Sequence, residues 1–147
     1  NGWARLTSDQ PFNATVFFRI AGFGNVGVLP SQQGVKFKLF VFVGQGTDTG
    51  FALANTSETQ DSDVTMRIFD TGGVFQKEVE RNYGPGEHEA LFVTQDPLLV
   101  TADSVIEFTA TQPVILVGLR SDNNLLASTA VVSPQGSGLG PGSVGLL

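Results

Sequence analysis

The acidic side chains and one imidazole are where chemistry would have to reside, because this chain of 147 residues holds a single histidine and no cysteine. That histidine, His88, sits in GEHEAL between Glu87 and Glu89. General-base catalysis needs an imidazole oriented by a carboxylate and aimed at a nucleophile. Neighbours in a strand point to opposite faces, so Glu87 and Glu89 share a face that His88 does not. The segment reads as an exposed imidazole at the start of an acidic strand, and no catalytic residue is assigned. A lone histidine without cysteines also makes no ordinary zinc site, and thiolate and disulfide chemistry are excluded.

Oxygen ligands are the other possibility. ETQDSD (58–63) offers Glu58, Asp61 and Asp63 as weak calcium candidates, but it lacks the glycine and the distal glutamate of an EF-hand loop. The bland reading is a solvated loop at a sheet end. Asp48 and Asp122 read as turn residues that bond their own backbone. GFGNVG (22–27) resembles a phosphate loop only in its glycines; it opens no helix and reads as a long connection. Asn13-Ala-Thr and Asn55-Thr-Ser are sequons that arise by chance in Thr-rich sequence. A sugar platform needs exposed Trp or Tyr rings, and Trp3 and Tyr83 are the only candidates. No cofactor is expected.

Composition narrows the partners. Charged residues make up 15% of the chain, against about 25% in ordinary soluble domains. The eight basic residues are scattered and the net charge is −6, which leaves no footprint for nucleic acid or anionic lipid. No apolar run approaches the roughly 18 residues of a membrane-spanning helix. The chain opens on Asn1, which reads as a processed form whose export signal has been removed.

The elements that position these residues follow a period of two almost throughout. Strands are predicted at 2–7, 13–21, 35–43, 49–55, 63–70, 74–82, 88–93, 104–111, 114–120 and 125–133. DTGG marks a hairpin after residue 69, and DPLLV (96–100) suggests a single helical turn bridging two layers. In VKFKLFVFV, Lys36 and Lys38 alternate with apolar residues, while the run Phe40–Val43 suggests a strand end covered on both faces. Most of the 12 phenylalanines, Phe40, Phe42 and Phe69 among them, read as core. Short strands at this spacing predict an all-β antiparallel β-sandwich of about ten strands, with one domain over 1–133 and a Gly/Pro-rich tail over 134–147. LTSDQPFNATVFFR (6–19) echoes FTATQPVILVGLR (108–120) with one gap, which predicts an internal hairpin repeat with a Gln-Pro corner in each copy.

GWARLTSDQP, TGFALANTS, VTMRIFDTGGVFQKEV, GPGEHEALFV and IEFTATQPVILVGLR occur in an order that resembles an uncharacterised β-sandwich module of large exported and cell-surface bacterial proteins. The likeness spans residues 2–133. It implies export and a surface or scaffold role in place of catalysis.

The uncharged tail SPQGSGLGPGSVGLL completes the functional expectation. A sheet edge accepts an added strand, and Val144, Leu146 and Leu147 provide alternating apolar anchors near the tip. Trp3 and Leu6 in the first strand do the same at the other end. Head-to-tail exchange of this kind does not close on itself and builds fibres. The expectation is therefore an extracellular structural subunit that self-assembles through its terminal segments and sheet edges. A carbohydrate-binding or passive adhesive module of a larger cell-surface protein is the alternative.

Overall fold

The structure is a computed structural model that describes residues 9–10, 16–20, 24–28, 33–123 and 125–133. Among these residues the chain is all-β and antiparallel, without a helix long and apolar enough to cross a membrane. The proposed anchors Trp3, Leu6, Val144, Leu146 and Leu147 lie outside the described residues, as does Asn13.

Alternation of apolar and polar residues builds the strands. In β3 (Gln33–Val41) Phe37, Leu39 and Val41 are buried while Lys36, Lys38 and Phe40 are exposed. β4 (Thr47–Asn55) and β5 (Ser62–Asp70) repeat the pattern with Phe51 and Leu53, and with Val64, Met66 and Ile68. β5 turns into β6 (Phe75–Tyr83) because Asp70 organises the hairpin. Its Oδ1 accepts from the amides of Gly72 and Val74, both at 2.9 Å, and Gly73 takes the left-handed φ of 82° that the turn requires. β7 (His88–Phe92) then pairs with β4.

β1 (Val16–Ile20) and β2 (Gly24–Val28) form a separate antiparallel pair. GFGNVG is thus largely a paired strand, where the glycines had suggested a connection. The DPLLV segment makes one hydrogen-bonded turn: Gln95 O accepts from Leu98 N at 3.0 Å and Leu99 N at 2.9 Å, and no helix follows.

The organising element is β8 (Ser104–Asp122), 19 residues long. Its first part, through Ala110, runs between β3 and β5. From Val114 onward it pairs with β4, and then with β9 (Leu125–Thr129) on its other side. β10 (Val131–Val132) completes the sheet beside β3. Hydrogen bonding thereby joins eight strands into one continuous sheet, where the sequence had predicted two sheets packed as a sandwich. The second copy of the proposed repeat, 108–120, has its Gln-Pro corner but forms no hairpin; it is the middle of β8.

That corner is a sharp bend. Phe108 and Gly118 would stand about 33 Å apart along a straight strand. Yet the ring of Phe51, whose Cα partner is Gly118, lies edge-on to the Phe108 ring with centroids 5.2 Å apart. A Cβ on Gly118 would also come within 2.9 Å of Leu39, whose own partner on β8 is Ile106. The sheet therefore folds over itself at residues 111–113, and one face encloses the core of Leu39, Phe51, Met66, Ile106 and Phe108.

At the bend, ladder pairing skips residues 111–113 on both sides of β8. Side chains and one amide take its place. Thr111 Oγ1 accepts from Asp63 N at 2.9 Å. The buried Ser62 hydroxyl donates to Gln112 O at 3.1 Å and accepts from Gln112 N at 3.2 Å. Thr56 Oγ1 donates to Pro113 O at 3.1 Å, and Pro113 itself has no N–H to satisfy. Next to these, Asn55 is fully buried. Its amide nitrogen donates to the carbonyls of Gln60, Tyr83 and Gly84 at 2.8, 2.9 and 3.1 Å, and its oxygen accepts from Ser57 N at 3.0 Å.

Ser62→Ala strands both backbone groups of Gln112 and is expected to cost about 1–3 kcal/mol. Asn55→Asp keeps the shape but sets a carboxylate against three carbonyl oxygens, so the loss should exceed that of Ser62→Ala. Urea denaturation measures both. A Ser62→Ala protein as stable as the parent would contradict this account of the bend, and an unperturbed Asn55→Asp protein would contradict the role given to the buried amide.

Candidate interaction surface

Of the residues that looked reactive in the sequence, Asp48, Asp63, Glu87 and Glu89 hold parts of the sheet together. His88 opens β7, exposed, opposite Ala54. Its neighbours face other work: Glu87 accepts from Gly84 N at 2.7 Å, and Glu89 accepts from the Tyr83 hydroxyl at 2.7 Å and from Arg81 at 3.3 Å. Glu58, Asp61 and Asp63 do not converge. Asp63 is fixed in β5, where it accepts from Asn82 at 2.8 Å, and among the described residues no group of three His, Cys, Asp or Glu side chains could hold a metal ion.

Asp48 belongs to β4, and its carboxylate accepts from Thr94 Oγ1 at 2.6 Å, a cross-element contact where a turn residue was predicted. Asp122 accepts from Asn123 at 2.9 Å and ends β8. The Asn55 sequon is inaccessible in the folded chain, because that amide is buried and fully bonded.

Tyr83 is no sugar platform. It is 3% exposed, at the inner end of β6, because Lys77, Val79, Arg81 and Tyr83 form the inward side of that strand. Together with Glu89 it ties β6 to β7, two strands without mutual backbone pairing. The loop after β7 adds a second tie through Lys77, which donates to Pro97 O at 3.4 Å. A groove of about 450 Å³ lies beside this tie, between the β5–β6 hairpin and residues 99–104. Its carboxylate Asp70 is already committed to the hairpin turn.

What the sequence reading missed lies on the outer face of β3, β8, β5 and β6. The strand registers set side chains there into rows that cross all four strands. The first row is Phe40, Val105, Phe69 and Phe75. Phe40 is 45% and Phe75 53% exposed, and the Phe69 and Phe75 rings meet edge-on at 5.8 Å. The predicted double cover of Phe40–Val43 is thus absent, and Phe42 is exposed as well, with Arg120 over its ring at 5.0 Å.

The second row is Lys38, Glu107, Arg67 and Glu78. Lys38 and Glu107 pair at 2.6 Å, and Arg67 pairs with Glu78, which holds the guanidinium above its ordinary pKa through that hydrogen bond and its charge. The third row is Lys36, Thr109, Thr65 and Glu80. One signal for this face was in the sequence. Phe40 shares the parity of Lys36 and Lys38, which places it outward.

No protein-family model and no curated protein sequence matches the chain. Among solved structures, the fold is similar to that of Thermotoga maritima 1070, with a TM-score of 0.58 at 14% identity over 71% of this chain and 97% of that one. The Anabaena sensory rhodopsin transducer aligns with a TM-score of 0.47 at 11% identity, over 58% of this chain and 95% of that one. The first likeness shows the fold.

Tyr83 gives this part of the structure a pH signature. Burial, reinforced by the hydrogen bond and charge of Glu89, holds its phenol well above the usual value of about 10. The unfolded chain ionises there near pH 10 while the folded chain keeps its proton. The contribution to stability is therefore whole below about pH 10 and falls as the pH rises beyond it. Tyr83 is the only tyrosine, so phenolate absorbance reports it alone. In an alkaline titration that absorbance should appear together with loss of the β signal, and Tyr83→Phe should flatten the decline in melting temperature above pH 10. Phenolate formed near pH 10 in a still-folded chain would contradict the burial argument.

Proposed function

We propose that this chain is a non-catalytic structural module, exported and acting outside the cell, that associates with copies of itself. The observation that carries the reading is the outward apolar row of Phe40, Val105, Phe69 and Phe75, exposed at Phe40 and Phe75 and half-buried between them, and extended by the exposed Val74 at the hairpin tip. Contiguous apolar surface ordered across four strands is the mark of an interaction site, whereas scattered exposed apolar residues carry no such meaning. Low charge content and the resemblance to modules of exported bacterial proteins support its placement outside the cell.

On this reading, residues 1–133 form the module, its folded-over sheet serving as a two-layer β-sandwich, and residues 134–147 form an assembly tail. The sheet edges differ in what they support. β6 carries Lys77, Glu78, Glu80 and Arg81, charges that oppose strand addition. β10 is uncharged, with Val132 exposed, and is the better acceptor for an added strand, whereas β9 has β2 lying against it. Trp3, Leu6, Val144, Leu146 and Leu147 are the proposed anchors of the terminal segments that would fill such edges.

Size-exclusion chromatography and electron microscopy of the full chain test the proposal. Concentration-dependent association is expected, with Phe40→Ser plus Phe75→Thr reducing it. Deletion of 136–147 should remove any fibres while leaving the melting temperature within about 2 °C of the parent, since stability lies in the β8-centred core. A full chain that stays monomeric at high concentration, without fibres, ends the proposal.

A further inference from the structure

We infer that the outer face of β3, β8, β5 and β6 is an isologous interface whose occupant is the same face of a second copy, related by a two-fold axis running parallel to the strands between β8 and β5. The inference rests on the self-association reading and adds its geometry. It comes from the order of side chains within the rows.

A two-fold axis along the strands reverses left and right but leaves each row at its own height. The charged row reads plus, minus, plus, minus: Lys38, Glu107, Arg67, Glu78. Reversed and laid against itself, it sets Lys38 against Glu78 of the other copy, and Glu107 against Arg67 of the other copy. Every cation then meets an anion. The row above behaves the same way, since Phe40 meets Phe75 and Val105 meets Phe69. In the row below, Lys36 meets Glu80 and Thr109 meets Thr65.

The alternatives fail on the same pattern. An axis across the strands leaves left and right unchanged. Placed on the charged row, it sets Lys38 against Lys38 and Glu78 against Glu78, and it carries the aromatic row onto the Lys36–Glu80 row. Like charges in contact oppose such a docking, so the rows select an axis along the strands, and placing it between β8 and β5 overlaps all four strands. Face-to-face packing of aligned sheets about 10 Å apart, crossed by roughly 30°, brings long side chains such as Lys, Arg and Glu within reach of one another.

Four strands about 4.8 Å apart and three rows about 6.8 Å apart give a footprint of roughly 400 Å². A standard interface buries about 800 Å² per partner, so the dimer is small and its dissociation constant belongs in the micromolar range or weaker. Raised salt should weaken it, because part of its specificity is charge pairing near the surface.

Charge exchange at the two outer strands tests the geometry. Lys38→Glu makes residue 38 repel Glu78 of the other copy, and Glu78→Lys makes residue 78 repel Lys38 of the other copy. Each single variant should associate about tenfold more weakly, or worse, by sedimentation equilibrium. An equimolar mixture of the two should recover association within about threefold of the parent, and so should one chain carrying both changes. That double variant keeps the same like-charge contacts within the chain as the two singles, so its recovery separates an interface effect from a folding effect; melting temperatures of all four proteins complete the control.

Two failures are distinguishable. A parent chain that remains monomeric to about 1 mM defeats the self-association reading, and this interface with it. A parent that associates, with single variants unchanged or a double variant that does not recover, overturns the two-fold pairing alone.

Discussion

The structure depends on turning one long strand through a corner without leaving its backbone polar groups dry. A strand of 19 residues that stayed straight would expose one face of the sheet along its whole length. Bending it at Gln112–Pro113 lets that face cover itself, so Leu39 and Phe51, which pair with β8 twelve residues apart, share one core. The bend interrupts the ladder, and unpaired buried amides and carbonyls are costly. Ser62 resolves this in the tightest way available, donating to and accepting from the same residue, while Thr56 donates to the Pro113 carbonyl; the neighbouring Asn55 does the same work for the carbonyls of Gln60, Tyr83 and Gly84. Asn55, Thr56 and Ser62, all three buried and polar, are therefore structural.

Much of this was legible in the sequence where information is local. The strands at 49–55, 63–70 and 74–82 follow from alternation, and the DTGG hairpin follows from Asp70 and a glycine able to take positive φ. The Gln-Pro corner was legible too. Its meaning was not, because whether a strand ends or continues after a corner is decided by partners far away. Ser62 lies 50 residues from Gln112, and nothing near Gln112 announces it.

The surface was harder to see for a related reason. Single-strand parity identifies Phe40 as outward, since it follows Lys36 and Lys38 at intervals of two. A run of four apolar residues overrode that signal and suggested double burial. Phe69 and Phe75 flank a hairpin whose register shifts between Ile68 and Phe69, so counting from the turn finds their pairing but misplaces that of Arg67 with Glu78 one row further on. Rows across the sheet come from three registers, two of which join segments far apart in the chain, β3 with β8 and β8 with β5, and no periodicity within one strand contains them. Tyr83 illustrates the opposite error. It was one of two rings that could have served as an exposed sugar platform, yet the inward side of β6 ends on this residue, and its hydroxyl serves Glu89.

The corner and the outer face are linked through the same strand. The first part of β8 keeps β3 and β5 on either side of it, and this fixed register aligns Glu107 with both Lys38 and Arg67. A slip of two residues in β5 would set Thr65 or Phe69 beside Glu107 and destroy the alternation of charge while leaving the inner face apolar. The core alone does not demand that alternation, because it involves only the outward positions. A two-fold contact on this face closes after two copies, so it cannot by itself extend a chain of subunits. Growth beyond a pair requires a second, different contact, and the uncharged edge at β10 is separated from the Phe75 side of the face by the width of the sheet. A filament built from this module would thus alternate two kinds of joint: a face-to-face pairing fixed by rows of side chains, and an edge joint made by backbone. In such a filament the first joint would be set by charge order and the second by the absence of charge.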